Sequence, residues 1–535
     1  MGIPSYFVHI VKSHGSVIKR YQKNTIKIQN LYIDSNSIVY DAVREIEYNN
    51  TNNTSTPSTY NNNYETKIIN WVCDKIDYYI NLISPSNKVL IAFDGVAPVA
   101  KLEQQRNRRY KSWYTADKLS NKVGEKWDTT AITPGTEFMT KLYTGVSSYF
   151  NKNLNKNLNN LDIMISGSNF YGEGEHKIYK YIRDHKEYHT NTNTIIYGLD
   201  ADLIMLTLIH TVISNNLYLF RETPHFISSL NNNLIPNEHY VLDIFELSDI
   251  INKEMTVAKP VQNDKPVLCK DCVNDYIFIC FMLGNDFMPH FPALNIRTNG
   301  IRILLDTYLE LFGSTNEVLV DYNKIHWKNL RKFIITLAEK EEQQGIEEMK
   351  IRSKQEKKLH YKNEEEKLNA IPLLERNVEH YINIGEIGWQ ERYYKELFHI
   401  DITDERKRQI CINYLEGLEW NFKYYTNGCP DWTWKYKYSY PPLLEDLAKY
   451  IPYFDTTFIE IQKDAPVLPL VQLSYVLPRN SLDLLPKHIY EKLIIEHSDW
   501  YRLDFEIQWA YCKYFWESHI ILPEIDINIL NKIIK

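Results

Sequence analysis

Two pairs of closely spaced carboxylates could bind a divalent metal ion. Glu173 and Glu175 lie where a helical pattern begins, and Asp200 and Asp202 lie where an apolar, strand-like run ends. Neighbouring carboxylates repel one another and raise one another's pKa, so four of them need a reason to be close together. A shared metal ion is the commonest reason, and the pattern therefore suggests a metal-dependent nuclease that acts on phosphodiesters.

Three further carboxylates follow apolar runs in the same way. Asp34 and Asp94 each end a run typical of a buried strand, and Asp286 ends a less regular one. In a parallel sheet, ligands bind beyond the carboxyl ends of the strands, where we expect Asp34, Asp94, Asp200 and Asp286 to meet. Any one of them alone could equally be a helix N-cap. Four at equivalent positions favour a common site.

The carboxylates are numerous enough for two Mg²⁺ ions, since Mg²⁺ prefers oxygen ligands and keeps several waters. Two ions about 4 Å apart can clamp a phosphoryl displacement, one activating the attacking water and the other stabilising the leaving oxygen. The sequence shows no His/Cys set with zinc spacing, no P-loop and no G-x-S-x-G motif. The candidate metal ligands, which are also the candidate catalytic residues, are Asp34, Asp94, Glu173, Glu175, Asp200, Asp202 and Asp286.

A basic helical face follows Asp94 directly. Its positions are spaced i, i+4, i+7 and i+8, which places them on one side of a helix: Lys101, Gln105, Arg108 and Arg109. The planar guanidinium of arginine binds phosphate through two parallel hydrogen bonds. A run of charges is usually a solvated face, but its position next to a site carboxylate favours phosphate binding.

The elements that position these residues are strands alternating with helices. This alternation predicts an α/β fold with a mixed, largely parallel central sheet flanked by helices. We expect a core at residues 1–312 with a low-complexity insertion at 49–63, a charged helical linker at 313–385, and a second globular region at 386–535. Most aromatic rings of that last region should be core. Trp432 and Trp434 lie in a loop and could instead stack on nucleic-acid bases.

Composition limits the function classes. The net charge of −7 argues against binding polyanions by bulk charge, so nucleic-acid binding would need a local basic patch. The 7 cysteines in a chain of 535 residues are expected to be reduced and intracellular. No secretory signal and no run of about 18 apolar residues is present, so we expect a soluble, cytoplasmic protein without membrane contact.

Motifs along nearly the whole chain resemble the 5′→3′ exoribonuclease (XRN) family. In the N-terminal half they are MGIP (1–4), YIDSNS (32–37), FDGVAP (93–98), QQRNRR (104–109), ITPGT (132–136), GEGEHK (172–177), GLDADL (198–203) and GNDFMPH (284–290). In the C-terminal half they are GW (388–389), RYYK (392–395), NYLEGLEW (413–420), WTW (432–434), VLP (476–478) and LLP (484–486). One motif would be a weak signal, whereas this many in order are specific.

The resemblance implies a PIN/flap-nuclease-like core with a mostly helical C-terminal region that closes the active site. It implies processive degradation of single-stranded RNA with a 5′ monophosphate to nucleoside 5′-monophosphates, with Mg²⁺ and with Mn²⁺ as a substitute. The seven carboxylates match the family's metal site. The basic face matches its pocket for the 5′ phosphate, whose small size excludes capped and triphosphate ends. Tyr40 stands where the family usually has a base-stacking histidine.

Two other functions stay open. The same carboxylate-rich core serves DNA in structure-specific flap nucleases, although the region from Gly388 onward favours RNA. The chain could also be an RNA-binding scaffold without activity, but seven clustered carboxylates without a metal would be electrostatically costly. We expect a monomer acting in mRNA decay, while the decapping factors that would supply its substrate are left open. The short chain would suit a viral or otherwise reduced genome.

Overall fold

Strands and helices of the N-terminal half build a sheet covered on both faces. The computed structural model describes residues 2–23, 25–52, 62–119, 127–153, 161–223, 227, 229–257, 271–321, 324–399, 402–462 and 465–535. Within these residues, seven strands form the main sheet: β1 (Ile18–Arg20), β2 (Asn30–Asp34), β3 (Lys88–Ala92), β4 (Asp162–Ser166), β5 (Thr194–Tyr197), β6 (Leu217–Glu222) and β7 (His239–Asp243).

The sheet is mixed and mostly parallel, as predicted. Its strand order is β1-β7-β6-β5-β2-β3-β4, and the five strands from β6 to β4 pair in parallel. β7 pairs antiparallel with β6, and β1 pairs antiparallel with β7. The central position of β2 brings the ends of β3 and β5 to either side of it, which places the carboxylates after these strands next to one another.

Alternating side chains along β2 explain why both faces are covered. Leu31 and Ile33 belong to a buried cluster on one face of the sheet, whereas Tyr32 belongs to a second buried cluster on the opposite face. The helices of this half are α1 (Tyr6–Ser13), α2 (Asn36–Asn52), α3 (Asn62–Ile83), α4 (Val99–Leu119), α5 (Glu137–Asn153), α6 (Gly174–Asp184), α7 (Lys186–Thr190), α8 (Asp202–Ile209), α9 (Ile244–Glu254), α10 (Val273–Cys280) and α11 (Gly300–Phe312).

The C-terminal half is mostly helical, which also confirms the prediction. Its helices are α12 (Trp327–Lys357), α13 (Glu364–Leu374), α14 (Asn377–Ile382), α15 (Trp389–Phe398), α16 (Asp404–Asn427), α17 (Leu444–Tyr450), α18 (Pro469–Val476), α19 (Lys487–Glu496) and α20 (Ile527–Ile534). Two short antiparallel pairs accompany them, made of β8 (Val320–Asp321) with β9 (Lys324–Ile325) and of β10 (Glu506–Gln508) with β11 (His519–Ile521). In the part of the chain that is described, no helix is both long and apolar enough to span a membrane.

The element before Asp286 differs from the prediction. The apolar run expected to be a strand is helix α10 followed by a 3-10 turn, Phe281–Leu283. The run at 278–283 is fully buried, and the period of a short apolar run does not distinguish a buried strand from a buried helix. Asp286 therefore reaches the site from a loop after a helix and not from a strand end.

The segment predicted as a charged helical linker contains helices α12, α13 and α14, which pack against one another and the rest of the protein. One face of α12 is buried, and its Arg352 forms a buried ion pair with Glu379 of α14, with 2.6 Å between Nη2 and Oε1. Arg376 pairs with the same carboxylate at 2.7 Å. The predicted domain boundaries at 313 and 385 stay a prediction. Of the low-complexity insertion, residues 49–52 and 62–63 continue α2 and α3, and 53–61 lie outside the described residues.

Candidate active site

Three carboxylates lie at the ends of adjacent parallel strands. Asp34 is the last residue of β2, Asp94 follows β3 by two residues, and Asp200 follows β5 by three. Because β2 pairs with both β3 and β5, Asp34 lies between the other two. Asp202, two residues further, is the first residue of α8. The strand ends thus bring together four of the predicted ligands.

The start of helix α6 adds two more carboxylates to those at the strand ends. Glu173 precedes its first residue and Glu175 lies in its first turn. The backbone N–H of Gly174 donates to Asp94 Oδ1 at 2.7 Å. A Cβ on Gly174 would lie 2.5 Å from Asp34 Oδ1, so glycine permits this close approach. Ligand oxygens of Asp34, Asp94 and Glu175 all lie within 4.8 Å of one another.

Lys101 places its ammonium group inside the acidic cluster. Its Nζ lies 2.7 Å from Glu173 Oε1 and 2.7 Å from Asp286 Oδ2. Gln104 also donates to Asp286, at 3.3 Å. The side chains of Lys101, Glu173 and Asp286 are 10%, 5% and 5% exposed. Lys101 therefore bridges the carboxylate from α6 and the carboxylate from the loop after α10.

Burial and mutual repulsion favour the protonated forms of several carboxyl groups in the cluster. Burial, and then Asp94, Asp200 and Glu173, raise the pKa of Asp34 well above its usual value. Burial and Glu173 do the same to the pKa of Glu175. Burial and Asp200 raise the pKa of Asp202 to about 7. A bound cation would relieve this repulsion, because an opposite charge favours the ionised form.

The residues present fit a divalent metal. Asp34 Oδ1 is buried and accepts no hydrogen bond within the described part of the chain, although an unsatisfied buried carboxylate oxygen is costly. The surrounding donors are carboxylate oxygens, which Mg²⁺ and other hard cations prefer. Glu173 and Glu175 form a second candidate group with the imidazole of His176. The geometry can hold a divalent cation between the strand ends and α6.

Polar side chains from two parts of the chain orient the carboxylates. Asn36 donates to Asp94 Oδ2 at 2.5 Å and accepts from the Asp94 backbone N–H at 3.1 Å. From α16, the hydroxyl of Tyr424 donates to Glu173 Oε2 at 2.8 Å. The hydroxyl of Tyr425 donates to Asp202 Oδ1 at 2.7 Å. The C-terminal half thus reaches directly into the acidic cluster.

The predicted phosphate face is divided along α4. Lys101 belongs to the acidic cluster, whereas Arg108 and Arg109 lie about 10 Å further along the helix axis. Arg109 donates to Thr133 Oγ1 at 2.6 Å and approaches Gln105 Oε1 at 3.5 Å. Burial lowers the pKa of Arg109 to about 10, so its guanidinium stays cationic at neutral pH. Gln105, Arg108 and Arg109 form a basic surface on the same helix, one to two turns beyond Lys101.

The three candidate stacking residues have different surroundings. The Arg108 guanidinium lies 6.0 Å from the centre of the Tyr40 ring, beside the basic surface. Trp432 is half-buried, and its carbonyl accepts from the N–H of Val99, the first residue of α4. Trp434 is 8% exposed and stacks on Trp420 with ring centres 5.2 Å apart. The structure thus places Trp434 in the core, where its ring face is covered, and leaves Tyr40 and Trp432 beside the site.

Comparison with known proteins assigns the chain to a family. A model of the XRN 5′-3′ exonuclease N-terminus matches residues 1–223. A model of the Xrn1 helical domain matches residues 268–380 and 373–535. The chain belongs to the XRN 5′-3′ exonuclease family. The resemblance drawn from the sequence motifs is therefore confirmed, and the family is one of hydrolases.

Similar curated proteins are longer than this XRN-family chain. The chain is 26% identical over 94% of its length to 5′-3′ exoribonuclease 2 of Arabidopsis thaliana, spanning 62% of that protein. It is 28% identical over 98% of its length to 5′-3′ exoribonuclease 1 of Homo sapiens, spanning 33%. It is 26% identical over 98% of its length to 5′-3′ exoribonuclease 1 of Saccharomyces cerevisiae, spanning 42% of that protein. Because the relatives extend beyond the match, their whole activity is not carried over with family membership.

The sequence did not reveal several residues of the XRN-family site. His176 belongs to the GEGEHK motif, which indicates no role for it, and the centre of its ring lies 3.8 Å from the centre of the Tyr424 ring. Burial, and then Arg183, lower the pKa of His176 well below 6.5, so its imidazole is neutral and its unprotonated ring nitrogen is available as a ligand. Its position next to Glu175 was a usable signal. For Tyr424 and Tyr425 no local signal exists.

Proposed function

We propose that this XRN-family chain is a metal-dependent exoribonuclease that degrades single-stranded RNA from a 5′ monophosphate end. The observation that carries the proposal is the convergence of seven carboxylates beside a basic helical surface. Buried acids alone would suit any metal hydrolase, and basic side chains alone any polyanion binder. Their adjacency suits a phosphodiester whose terminal phosphate is held beside the bond that is cleaved.

The metal would be held by the carboxylates of the two candidate groups and their neighbours. We propose two Mg²⁺ ions, with Mn²⁺ as a substitute, bound by Asp34, Asp94, Glu173, Glu175, Asp200, Asp202 and Asp286. Such ions supply activation of water and stabilisation of the leaving oxygen. Asn36, Tyr424 and Tyr425 would hold the ligand carboxylates in place through the hydrogen bonds described above.

The basic surface would give the enzyme its end specificity. Arg109 is oriented by Thr133 and stays charged, and Arg108 is exposed beside it. A terminal monophosphate carries more charge than an internal phosphodiester, so paired guanidinium groups would bind it more strongly. Lys101 would neutralise part of the acidic cluster where the polyanionic substrate enters, through its contacts with Glu173 and Asp286.

A comparison of substrates tests the proposal. Purified protein with Mg²⁺ would be incubated separately with 5′-monophosphate RNA, 5′-triphosphate RNA and a flapped DNA duplex. The proposal expects fastest loss of the 5′-monophosphate RNA, with release of nucleoside 5′-monophosphates. Preference for the flapped DNA would contradict it and favour a structure-specific DNA nuclease.

A variant of the acidic cluster tests the remaining alternative, an inactive RNA-binding scaffold. Asp200→Ala removes one carboxylate at the strand ends and should abolish turnover while RNA binding survives. If wild type and variant bind RNA equally and neither degrades it, the chain is a scaffold. Full activity in Asp200→Ala would remove this residue from the proposed metal site.

A further inference from the structure

Two large aromatic side chains are exposed shortly before Glu173, the carboxylate that precedes α6. Phe170 and Tyr171 are 50% and 56% exposed, and they lie in the loop between β4 and α6. The edge of the Tyr171 ring meets Trp432, with ring centres 5.6 Å apart and an interplanar angle of 89°. We call these three residues, Phe170, Tyr171 and Trp432, the aromatic ledge.

The backbone beneath the ledge is fixed to the loop that carries Asp94. Gly95 N–H donates to the carbonyl of Gly172 at 2.8 Å, and Gly172 N–H donates to the carbonyl of Val96 at 2.8 Å. A Cβ on Gly95 would lie only 1.6 Å from the Phe170 carbonyl oxygen, so glycine is required for this contact. The exposed rings therefore project from a backbone segment that two hydrogen bonds fix to the loop after Asp94.

The ledge also joins the two halves of the molecule. The carbonyl of Trp432 accepts from the backbone N–H of Val99 at 3.0 Å, at the start of α4. Trp432 comes from the C-terminal half and Tyr171 from the N-terminal half, and their rings meet beside this hydrogen bond. The ledge is therefore a surface that exists only when both halves are in place around the site.

The position of the ledge follows from covalent geometry. Tyr171 lies two residues before Glu173, so their Cα atoms are at most about 7 Å apart. Gly95, which packs against Phe170, is the residue after Asp94. The rings thus lie at the rim of the acidic cluster, where a strand of RNA would have to pass to present its phosphodiester.

We propose that Tyr171 and Phe170 stack on bases of the RNA strand as it enters the site. This proposal rests on the proposed function. Every base has a flat π-face, so aromatic stacking holds a strand without reading its sequence, as a nuclease that degrades many sequences needs. A partner protein is the other possible occupant of exposed aromatic side chains, but it would cover the rim of the site through which the substrate must enter.

Binding measurements on matched variants test the proposal. The affinity of a 5′-monophosphate RNA would be measured by fluorescence anisotropy in chelator, so that no cleavage occurs, for Phe170→Ala, Tyr171→Ala and Tyr171→Phe. The controls are Tyr453→Ala and Phe454→Ala, which remove an equally adjacent aromatic pair that is 70% and 73% exposed elsewhere on the surface.

We expect Tyr171→Ala to weaken binding by about tenfold, toward the lower end of the effect reported for loss of one base–aromatic stack. Phe170→Ala should act in the same direction. Tyr171→Phe keeps the ring and should bind like wild type, as should both controls. A loss shared equally by the controls would indicate nonspecific apolar adhesion and would overturn the proposal.

RNAs with a single abasic position distinguish stacking from a structural role. One base would be removed in turn from each of the first six nucleotides. Where the missing base is the one that stacks, the difference between wild type and Tyr171→Ala should vanish. If Tyr171→Ala weakens binding equally for every abasic RNA, the ring acts on the fold and the proposal is wrong.

The same data separate failure of the ledge from failure of the proposed function. If wild type binds and degrades the RNA but Phe170→Ala and Tyr171→Ala match it in affinity, the ledge is refuted and the exoribonuclease proposal stands. If wild type neither binds nor degrades the RNA, the proposed function is wrong and the ledge proposal falls with it.

Discussion

Removing a single hydroxyl group from α16 should weaken metal binding at the acidic cluster. The Tyr425 hydroxyl donates to Asp202 Oδ1 at 2.7 Å. Burial, and then the nearby Asp202, raise the pKa of Tyr425 well above 10, so the hydroxyl stays protonated and can only donate to this carboxylate. Tyr425→Phe keeps the ring and its packing and deletes the donor.

The expected magnitude follows from the state of Asp202. Its pKa is already raised to about 7, by burial and by Asp200, and a metal ligand must be deprotonated to bind. A hydrogen bond to a charged group contributes about 1.5–3 kcal/mol, which corresponds to roughly 10- to 100-fold in an equilibrium constant. Loss of a residue that orients a metal ligand typically costs a similar factor of about 10–100 in metal affinity or activity. We therefore expect the Mg²⁺ concentration for half-maximal activity to rise by roughly 10- to 100-fold.

The assay is a Mg²⁺ titration of RNA degradation at fixed pH, with Tyr501→Phe as the matched control. The Tyr501 hydroxyl is also buried, but it donates to the backbone carbonyl of Ser474 at 2.9 Å, outside the cluster. Tyr501→Phe should therefore leave the Mg²⁺ midpoint unchanged even if it lowers stability. A wild-type midpoint in Tyr425→Phe would refute the reasoning, because the hydrogen bond would then have no role in holding the metal ligand.

Three further predictions concern other parts of the structure. Arg108→Ala should reduce the preference for a 5′ monophosphate over a 5′ hydroxyl by about 10- to 100-fold, the value of one charged hydrogen bond; unchanged preference in competition assays would remove Arg108 from the phosphate site. Gly174→Ala would place a Cβ 2.5 Å from Asp34 Oδ1 and should abolish activity while circular dichroism stays unchanged; full activity would show that this carboxylate need not be held there. Burial lowers the pKa of His210 to about 3, so the folded state keeps it neutral while the unfolded chain protonates it near pH 6.5. Its contribution to stability is complete above pH 6.5 and falls by about 1.4 kcal/mol per pH unit below it. Urea unfolding between pH 7 and 5 should therefore show a shallower pH dependence for His210→Gln, and equal slopes would contradict this.

The strand-end carboxylates could be predicted from the sequence because each depends on a local pattern. Asp34, Asp94 and Asp200 each follow a short apolar run, and the parallel order of the strands then places them together. For Asp286 the same pattern led to the correct region by the wrong element, since the run before it is a buried helix. A local pattern can locate a ligand even when it does not determine the secondary structure that carries it.

Contacts between distant parts of the chain could not be predicted. Tyr425 is 223 residues away from Asp202, and Tyr424 is 251 residues away from Glu173. No spacing within either segment indicates such a pair, because the contact depends on how α16 packs against the sheet. The helix that carries Lys101 could be predicted, but the pairing of Lys101 with Asp286, 185 residues away, depends on the same tertiary packing.

Product analysis on one defined RNA tests the central claim most directly. A 5′-monophosphate RNA would be incubated with the wild-type protein in Mg²⁺ and, in parallel, in excess chelator, and the products would be identified by mass spectrometry over time. We predict nucleoside 5′-monophosphates released in order from the 5′ end, and no products in chelator. Oligonucleotide products, nucleoside 3′-monophosphates, or degradation that persists in chelator would contradict the claim that this acidic cluster is the metal site of a 5′→3′ exoribonuclease.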